Sequence, residues 1–194
     1  MRTARLRRLV AAVVAVVTVT VVLAATAPVA GSAPLDQWSA TFCRSLDTML
    51  RRVIKARDAL GATLGRPDYT TTEGKAAVVA YLGAVVGAID GVHARMKTAG
   101  APETTNGSKI QSTVLQALAD SRAHDAGLRG EARDFIQTSD VATFQATAEP
   151  ILEVLAEFRL PAIDSAMPRV AKLDHDHALR REFAKYKACQ GLLR

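Results

Sequence analysis

The sequence predicts an all-α protein, an up-and-down four-helix bundle with a short extra C-terminal helix in a domain spanning residues 34–194. Four segments repeat apolar residues at spacings of three and four, as one buried helix face requires. Glycines and prolines that interrupt helices lie between these segments, and no convincing strand pattern of alternating apolar and polar residues is seen. These observations favour helices packed on helices.

The first 33 residues have the composition of an export signal. Residues 1–8 carry four arginines, residues 9–25 form an uncharged run rich in Val and Ala, and residues 26–33 are mostly small. A positive start, an apolar middle and a small-residue end are the features that the export machinery and signal peptidase recognise. The segment 1–33 is therefore predicted to be a signal peptide, and the protein to be secreted or otherwise extracytoplasmic.

Cleavage is expected after Ala30, Ser32 or Ala33, although Pro34 disfavours the last of these. The alternative is an uncleaved membrane anchor, for which an apolar run of 17 residues is short. Since no cysteine precedes Cys43, the signal carries no thiol for lipid attachment near the cut. We expect no stable membrane span once the signal has been removed.

The positive charge of the chain belongs largely to the signal. The full sequence has 25 Lys and Arg against 19 Asp and Glu, and removal of the four signal arginines lowers the net charge from +6 to +2. The high isoelectric point is therefore no evidence for a nucleic-acid partner. Roughly 160 residues remain, which is enough for one domain with a core.

The first two helices have the clearest patterns. We expect Asp36 to cap the first helix and Gly65 to end it. The letters Thr70 to Glu73 fit a capping box at the start of the second helix, and Gly100 ends that helix. The predicted buried faces are Trp38, Phe42, Leu46, Met49, Val53, Ala56, Leu60 and Leu64 in the first helix, and Val78, Leu82, Val85, Ile89, Val92 and Met96 in the second.

The third and fourth helices are less regular. Ser108 to Gln111 matches a second capping box, and Ser139 and Asp140 are suited to open the fourth helix. The fourth helix is expected to end near Leu173, before a polar break and a short helix from Ala178 to about Lys187. The predicted buried faces are Ile110, Val114, Ala117, Ser121, His124, Leu128 and Phe135, then Phe144, Ala148, Ile151, Leu155, Phe158 and Ala162.

Three prolines lie within the predicted fourth helix. Pro150, Pro161 and Pro168 are spaced to share one side of it, so we expect a helix bent around the bundle, with a fully broken helix as the alternative. The second helix repeats glycine at positions 83, 87 and 91, which predicts close approach of a neighbouring backbone. The uncharged run around these glycines, residues 76–89, is too short to span a membrane.

The two cysteines predict one disulfide between Cys43 and Cys189. In an exported protein an even pair normally oxidises, although two buried free thiols remain an alternative. Four up-and-down helices return the end of the chain to the start of the first helix, which places the two cysteines side by side.

The sequence marks no catalytic, cofactor-binding or metal-binding residue, so we expect neither an enzyme nor a cofactor. His175 and His177 sit in a polar break where an aspartate is expected to cap the last helix. His93 and His124 are too far apart along antiparallel helices to share a metal, and a satisfied core position is the default for His124. Asn106 begins a glycosylation sequon that a tight turn explains equally well.

Two groups of basic residues are expected to face the same end of the molecule. One group is on the first helix and the other is near the C-terminus, and the disulfide would draw them together. A basic end is suited to anionic lipid or cell-wall polymer, but an ordinary solvated surface is the favoured interpretation. The groups are Arg51, Arg52, Lys55 and Arg57, and Arg180, Arg181, Lys185 and Lys187.

Short motifs along the chain resemble small secreted proteins and lipoproteins of actinobacteria. The motifs are Trp38-x-x-x-Phe42-Cys43, Gly100-Ala-Pro-Glu-Thr-Thr-Asn-Gly107, Asp140-x-x-x-Phe144, Leu179-Arg-Arg-Glu-Phe183 and Ala188-Cys189-Gln190. The preference for Arg over Lys and the Ala and Val content fit a GC-rich source. That group is functionally uncharacterised, so the resemblance implies no site residues. The missing lipid-attachment cysteine implies release or loose wall association.

The sequence therefore favours a secreted, non-enzymatic helical bundle that acts as an envelope-associated binding or interaction module. The partner is unknown, and a cell-envelope component is one possibility. The alternative is an extracytoplasmic carrier of a small apolar ligand held between helices. An apolar cavity favours the carrier, a filled core with an exposed patch favours the interaction module, and a cleft of converging charges favours an enzyme.

Overall fold

The computed structural model describes residues 31–135, 140, 142–144, 146 and 160–193, and every regular element in these ranges is helical. The all-α class is therefore confirmed. The elements are α1 (Leu35–Leu64), α2 (Thr71–Ala99), α3 (Gly107–Phe135), α4 (Pro161–Leu173), α5 (Ala178–Phe183) and a 3-10 turn at Lys187–Cys189. Residues 142–144 and 146 are also helical.

The predicted faces of α1 and α2 form the core. All six predicted apolar residues of α2 are buried, and in α1 only Ala56 and Leu64 remain partly exposed. α2 packs against α1 on one side and α3 on the other, and α3 packs against α4. Because α2 has neighbours on two sides, it also buries residues outside the predicted stripe, namely Tyr81, Val86 and Ala88.

The buried face of α3 departs from the prediction after its first half. Ile110, Val114, Ala117 and Ser121 are buried as expected, together with Leu118. His124 is exposed, so the prediction of a core histidine is wrong. The repeat drifts round the helix here, and the next fully buried apolar residue of α3 is Ala132.

The capping box at the start of α2 is confirmed. Thr70 Oγ1 accepts from the Glu73 amide at 3.2 Å, and Glu73 Oε2 accepts from the Thr70 amide at 2.8 Å. These bonds, together with the Arg66 guanidinium 2.7 Å from Glu73 Oε1, lower the pKa of Glu73 to about 2. Two amide groups at the N-terminus of α2, those of Thr70 and Glu73, thus have side-chain partners.

Two predicted caps are wrong. Asp36 does not cap α1, because the helix already begins at Leu35 and Pro34 occupies the capping position. Ser108 is inside α3, whose first residue is Gly107, so no capping box forms with Gln111. The helix ends agree with prediction, since α1 stops before Gly65 and α2 before Gly100, which adopts a φ of 75°.

The prediction of a single bent fourth helix is also wrong. Leu160 has a non-helical backbone, and α4 begins with Pro161 at its first position, where proline lacks only an amide that no helix bond needs. Pro168 lies inside α4. Pro150 and the predicted face from Ala148 to Phe158 lie outside the described residues, as do Ser139 and the side chain of Phe135.

Asp140 and Phe144 behave as the sequence predicts. Asp140 accepts the Thr143 amide at 2.7 Å and the Ala142 amide at 3.3 Å, as a helix-capping carboxylate does, and these bonds with the Thr143 hydroxyl lower its pKa. Phe144 is fully buried against Tyr69. This contact lies beside the N-terminus of α2.

The polar break before α5 is capped by a buried aspartate. Asp174 is 4 % exposed, and its two oxygens accept from the amides of Leu179 and Arg180 at 2.9 Å each. The prediction that an aspartate caps the last helix is therefore confirmed. The helix is shorter than expected, ending at Phe183, and the 3-10 turn carries the chain on to Cys189.

The glycine repeat of α2 does not mark a close backbone approach. A methyl group at Gly87 would meet nothing within 4 Å, and at Gly83 and Gly91 it would meet only arginine side chains. The tight position is Gly74, where a methyl group would lie 2.7 Å from the ring of Phe144. Glycine is therefore required where the aromatic ring of Phe144 crosses the start of α2.

By length and composition alone, α2 passes as a candidate membrane span. The most apolar 18-residue window of this helix has a mean hydropathy of 1.6, and 44 % of that window is buried within the protein. The contacts that α2 makes with both α1 and α3 account for its apolar composition.

Candidate functional site

The disulfide joins the start of α1 to the end of the described chain. Cys43 and Cys189 are each 1 % exposed, and their Cα atoms are 5.6 Å apart across 146 residues of sequence. The predicted pairing is confirmed. The bond holds α5 and the 3-10 turn against α1, at what is termed here the upper end of the helices, where α1 begins and α2 ends.

A buried polar network braces this upper end. Trp38 Nε1 donates to Gln111 Oε1 at 2.8 Å and to the Gly100 carbonyl at 3.1 Å. Gln111 Nε2 in turn donates to the Met96 carbonyl at 2.6 Å. One indole and one amide thus bind two carbonyls at the C-terminal end of α2, those of Met96 and Gly100, and connect three helices.

Aromatic stacking extends the network to α5. The rings of Trp38, Phe42 and Phe183 are close to parallel, with centroids between 5.4 and 6.3 Å apart. All three are buried. The C-terminal segment is therefore fixed to α1 by ring contacts as well as by the disulfide.

The segment before α1 pairs with the loop that joins α2 to α3. The Ala33 amide donates to the Ala101 carbonyl at 2.7 Å, and the Glu103 amide donates to the Ala33 carbonyl at 2.8 Å. The result is an isolated parallel bridge between Ala33 and Pro102. The start of the described chain is thus tied to the loop.

The same loop is fixed on its other side. Gly107 lies so close to Pro102 that a methyl group there would sit 1.9 Å from the Pro102 carbonyl oxygen. Asn106 Nδ2 donates to the Leu173 carbonyl at the end of α4, at 2.8 Å. The amide of the predicted sequon is therefore engaged inside the fold, and the loop joins three parts of the molecule.

Between these segments lies an open groove of about 810 Å³, termed here the loop groove. Its wall is rich in hydroxyl groups and carries two carboxylates and one ammonium group. Such a surface is suited to hydrogen-bonding partners rather than to apolar ones. The lining residues are Ser32, Leu35, Ala101, Pro102, Glu103, Thr104, Thr105, Asn106, Gly107, Ser108, Lys109, Asp176 and Ala178.

Two further recesses lie near the upper end. One of about 410 Å³ is lined by Thr41, Ala94, Arg95, Thr98 and Ala99. The other, of about 210 Å³, lies beside the disulfide and is lined mainly by Phe183, Ala184, Cys189 and Leu193, with Arg180, Gln190 and Gly191 at its edge.

The histidines do not converge. His175 and His177 are exposed, and His177 adopts a left-handed backbone with φ of 54° immediately before α5. His93 is half-buried on α2. Across the part of the chain that the structure describes, no three His, Cys, Asp or Glu side chains form a group able to hold a metal ion.

The two basic groups do not share one surface. Glu182 raises the pKa of Lys185, with a smaller contribution from Asp36 in the first turn of α1. Burial raises the pKa of Tyr81, and the nearby charge of Arg57 opposes that shift. Lys185 of the second group therefore lies near Asp36, whereas Arg57 of the first group lies about 30 Å further along α1, near Tyr81. The expectation of a single basic end is wrong.

Sequence reasoning missed the loop groove. The sequence from Gly100 to Pro102 predicts only a helix stop, and residues Ser108 to Gln111 predict only a capping box. Gln111 gives no signal for the groove, because this residue binds Trp38 and the Met96 carbonyl and does not line the groove. Pairing with Ala33 has no local signature, because it joins residues about 70 positions apart.

No protein-family model, curated protein or solved structure matches the chain.

Proposed function

We propose that this chain is an exported, non-enzymatic helical protein of the cell envelope that works as a binding or interaction module through the loop groove. The observation that carries the proposal is the construction of that groove. Its walls are polar and open, while the backbone behind them is fixed by Ala33, Asn106 and Gly107. A rigid polar wall binds a partner with little loss of conformational entropy.

Export is supported by two independent features. The first 33 residues carry the composition of a signal peptide, and the disulfide at Cys43 and Cys189 is of the kind that persists outside the reducing cytoplasm. Release or loose wall association follows from the absence of a lipid-attachment cysteine in the signal. The motif resemblance to small secreted actinobacterial proteins points to the same compartment.

The finer architecture we propose is the up-and-down four-helix bundle with a short C-terminal helix. Phe144 packs against Tyr69 and Gly74 at the lower end, where α1 ends and α2 begins, whereas Leu173 accepts from Asn106 at the upper end. Residues 144 and 173 therefore lie at opposite ends of the molecule, which supports the fourth, antiparallel layer of the proposed bundle.

The carrier of a small apolar ligand is less well supported. The apolar recess beside the disulfide has a volume of about 210 Å³, below the roughly 300–1,000 Å³ of most small-molecule sites. The recess of about 410 Å³ beside Thr41 is within that range but lies open at the surface and does not enclose a ligand. The described apolar residues of α1 and α2 meet one another in a packed core. The native mass of the exported protein distinguishes the two functions.

Binding to isolated cell envelopes tests the proposal. The purified exported protein is mixed with envelopes of an actinobacterium, the envelopes are sedimented, and the bound fraction is measured. Thr105→Trp places a large ring in the loop groove, and Thr72→Trp places the same ring on an exposed position at the lower end of α2.

We expect the wild type and Thr72→Trp to sediment with the envelopes, and Thr105→Trp to lose at least tenfold in affinity. Equal binding by all three proteins would move the site away from the groove. Failure of the wild type to bind would contradict the interaction module.

A further inference from the structure

The boundary between exposed and anchored backbone at the start of the described chain lies between Ser32 and Ala33. Gly31 and Ser32 are exposed, and a methyl group at Gly31 would meet nothing within 4 Å. Ser32 makes one long side-chain hydrogen bond, 3.4 Å to Glu103 Oε1. Neither residue contributes to the core.

Ala33 differs from both. Its side chain packs against the core, its amide donates to Ala101 at 2.7 Å, and its carbonyl accepts from Glu103 at 2.8 Å. The next residue, Pro34, occupies the capping position of α1 and its carbonyl accepts from Trp38. A mature chain that began at Pro34 would lose both backbone hydrogen bonds to the loop.

We propose that signal peptidase cuts the amide bond between Ser32 and Ala33, and that Ala33 is the first residue of the working protein. This inference rests on the proposed export. Water adds across the bond, so that Ser32 leaves as the carboxylate end of the signal and the Ala33 nitrogen becomes an ammonium group. Small residues then stand at the two positions that signal peptidase reads, Ser32 next to the cut and Ala30 two residues before it.

The new ammonium group suits its surroundings. It keeps a hydrogen for the Ala101 carbonyl, and it forms beside the carboxylate of Glu103, which loses its contact with the Ser32 hydroxyl. A cut after Ala30 would leave two exposed residues on the chain and would put Pro28 at the second position that the peptidase reads. The residues that the peptidase reads and the hydrogen bonds of Ala33 together favour the cut before Ala33.

The test uses the full chain expressed in a bacterial host, with the exported product characterised by N-terminal sequencing and intact mass. Ser32→Phe puts a bulky residue immediately before the proposed cut. Gly31→Phe is the matched control, since it places the same residue one position earlier, where the peptidase tolerates bulk.

We expect the wild type and Gly31→Phe to begin at Ala33, and Ser32→Phe to accumulate as the uncut precursor. The opposite result, with Gly31→Phe uncut and Ser32→Phe processed, would assign the cut to Ala33–Pro34. A wild-type product that begins at Gly31 would assign the cut after Ala30. Either outcome overturns this inference and leaves export intact, whereas a wild-type chain that stays uncut inside the cell overturns both.

A separate measurement tests the contact between the new ammonium group of Ala33 and the carboxylate of Glu103. Glu103→Gln removes the carboxylate beside Ala33 and is expected to lower the melting temperature of the processed protein by about 2 °C at low ionic strength, with the difference lost in high salt. An unchanged melting temperature at low ionic strength would contradict the pairing of the new N-terminus with Glu103.

Discussion

Trp38 and Gln111, 73 residues apart in sequence, share a buried hydrogen bond of 2.8 Å between the indole nitrogen and the side-chain amide oxygen. Trp38 is completely buried and Gln111 is 8 % exposed. Because Gln111 also donates to the Met96 carbonyl, this one side chain joins α1, α2 and α3.

Replacement of Gln111 tests that role. Gln111→Leu leaves the Met96 carbonyl without a partner and the indole with only Gly100, so we expect a loss of about 2–3 kcal/mol in the free energy of unfolding. Gln116→Leu, at an exposed position of the same helix, is the control and is expected to change stability by less than about 0.5 kcal/mol. Urea denaturation measures the free energy of unfolding of both variants. A loss for Gln111→Leu as small as that expected for the control would show that the network is energetically unimportant.

Two glycines of α2 are expected to respond to alanine with opposite signs. Gly74→Ala forces a methyl group against the Phe144 ring and is expected to destabilise by about 1–3 kcal/mol. Gly87→Ala enters open space on an exposed helical position and is expected to stabilise by about 0.5–1 kcal/mol. Thermal melts of the two variants check the pair, and a stabilised Gly74→Ala would separate Phe144 from the start of α2.

Glu73 predicts a specific dependence of stability on pH. Its pKa falls from an ordinary 4.5 to about 2 because the carboxylate accepts from Thr70 and Arg66. The stabilisation is therefore complete above pH 4.5 and is lost as the pH falls from about 4.5 towards 2. Glu73→Gln should melt below the wild type at pH 7 and at the same temperature at pH 2. A constant difference across that range would mean that the charge contributes nothing.

The disulfide should contribute strongly to stability. It closes a long loop, and the chain-entropy model assigns such a link roughly 5 kcal/mol, less when the unfolded chain is compact. The double variant Cys43→Ala and Cys189→Ala should therefore unfold at a much lower urea concentration than the oxidised wild type. Reduction of the wild type should give a similar decrease, and no decrease in either experiment would contradict the structural role of the bond.

Much of the fold was predictable because it depends on apolar residues that recur at short, regular spacings along the sequence. The stripes of α1 and α2 repeat every three or four residues, and the capping box at Thr70 requires only residues three apart. The disulfide followed from a simple count, since the chain has two cysteines near opposite ends of an even set of helices.

The remaining features depend on contacts between distant parts of the chain. Gln111 matches a capping motif in the sequence, but in the structure it accepts a hydrogen bond from Trp38. Glycine is required at position 74 only because the Phe144 ring packs there. Pro161 begins a helix instead of bending one, and the preceding sequence did not distinguish these outcomes. The loop groove depends on three long-range hydrogen bonds, those of Ala33 with Ala101 and Glu103 and that of Asn106 with Leu173. Periodicity along the sequence does not predict such bonds.

Mass spectrometry of the exported protein tests most directly whether the chain is an exported, disulfide-closed interaction module. We expect the denatured mass to be that of the chain without the signal, and to rise by the mass of two hydrogens on reduction. Under native conditions we expect the mass of the same chain with nothing bound. A full-length chain with two free thiols, or a small molecule retained only in the native spectrum, would contradict the account.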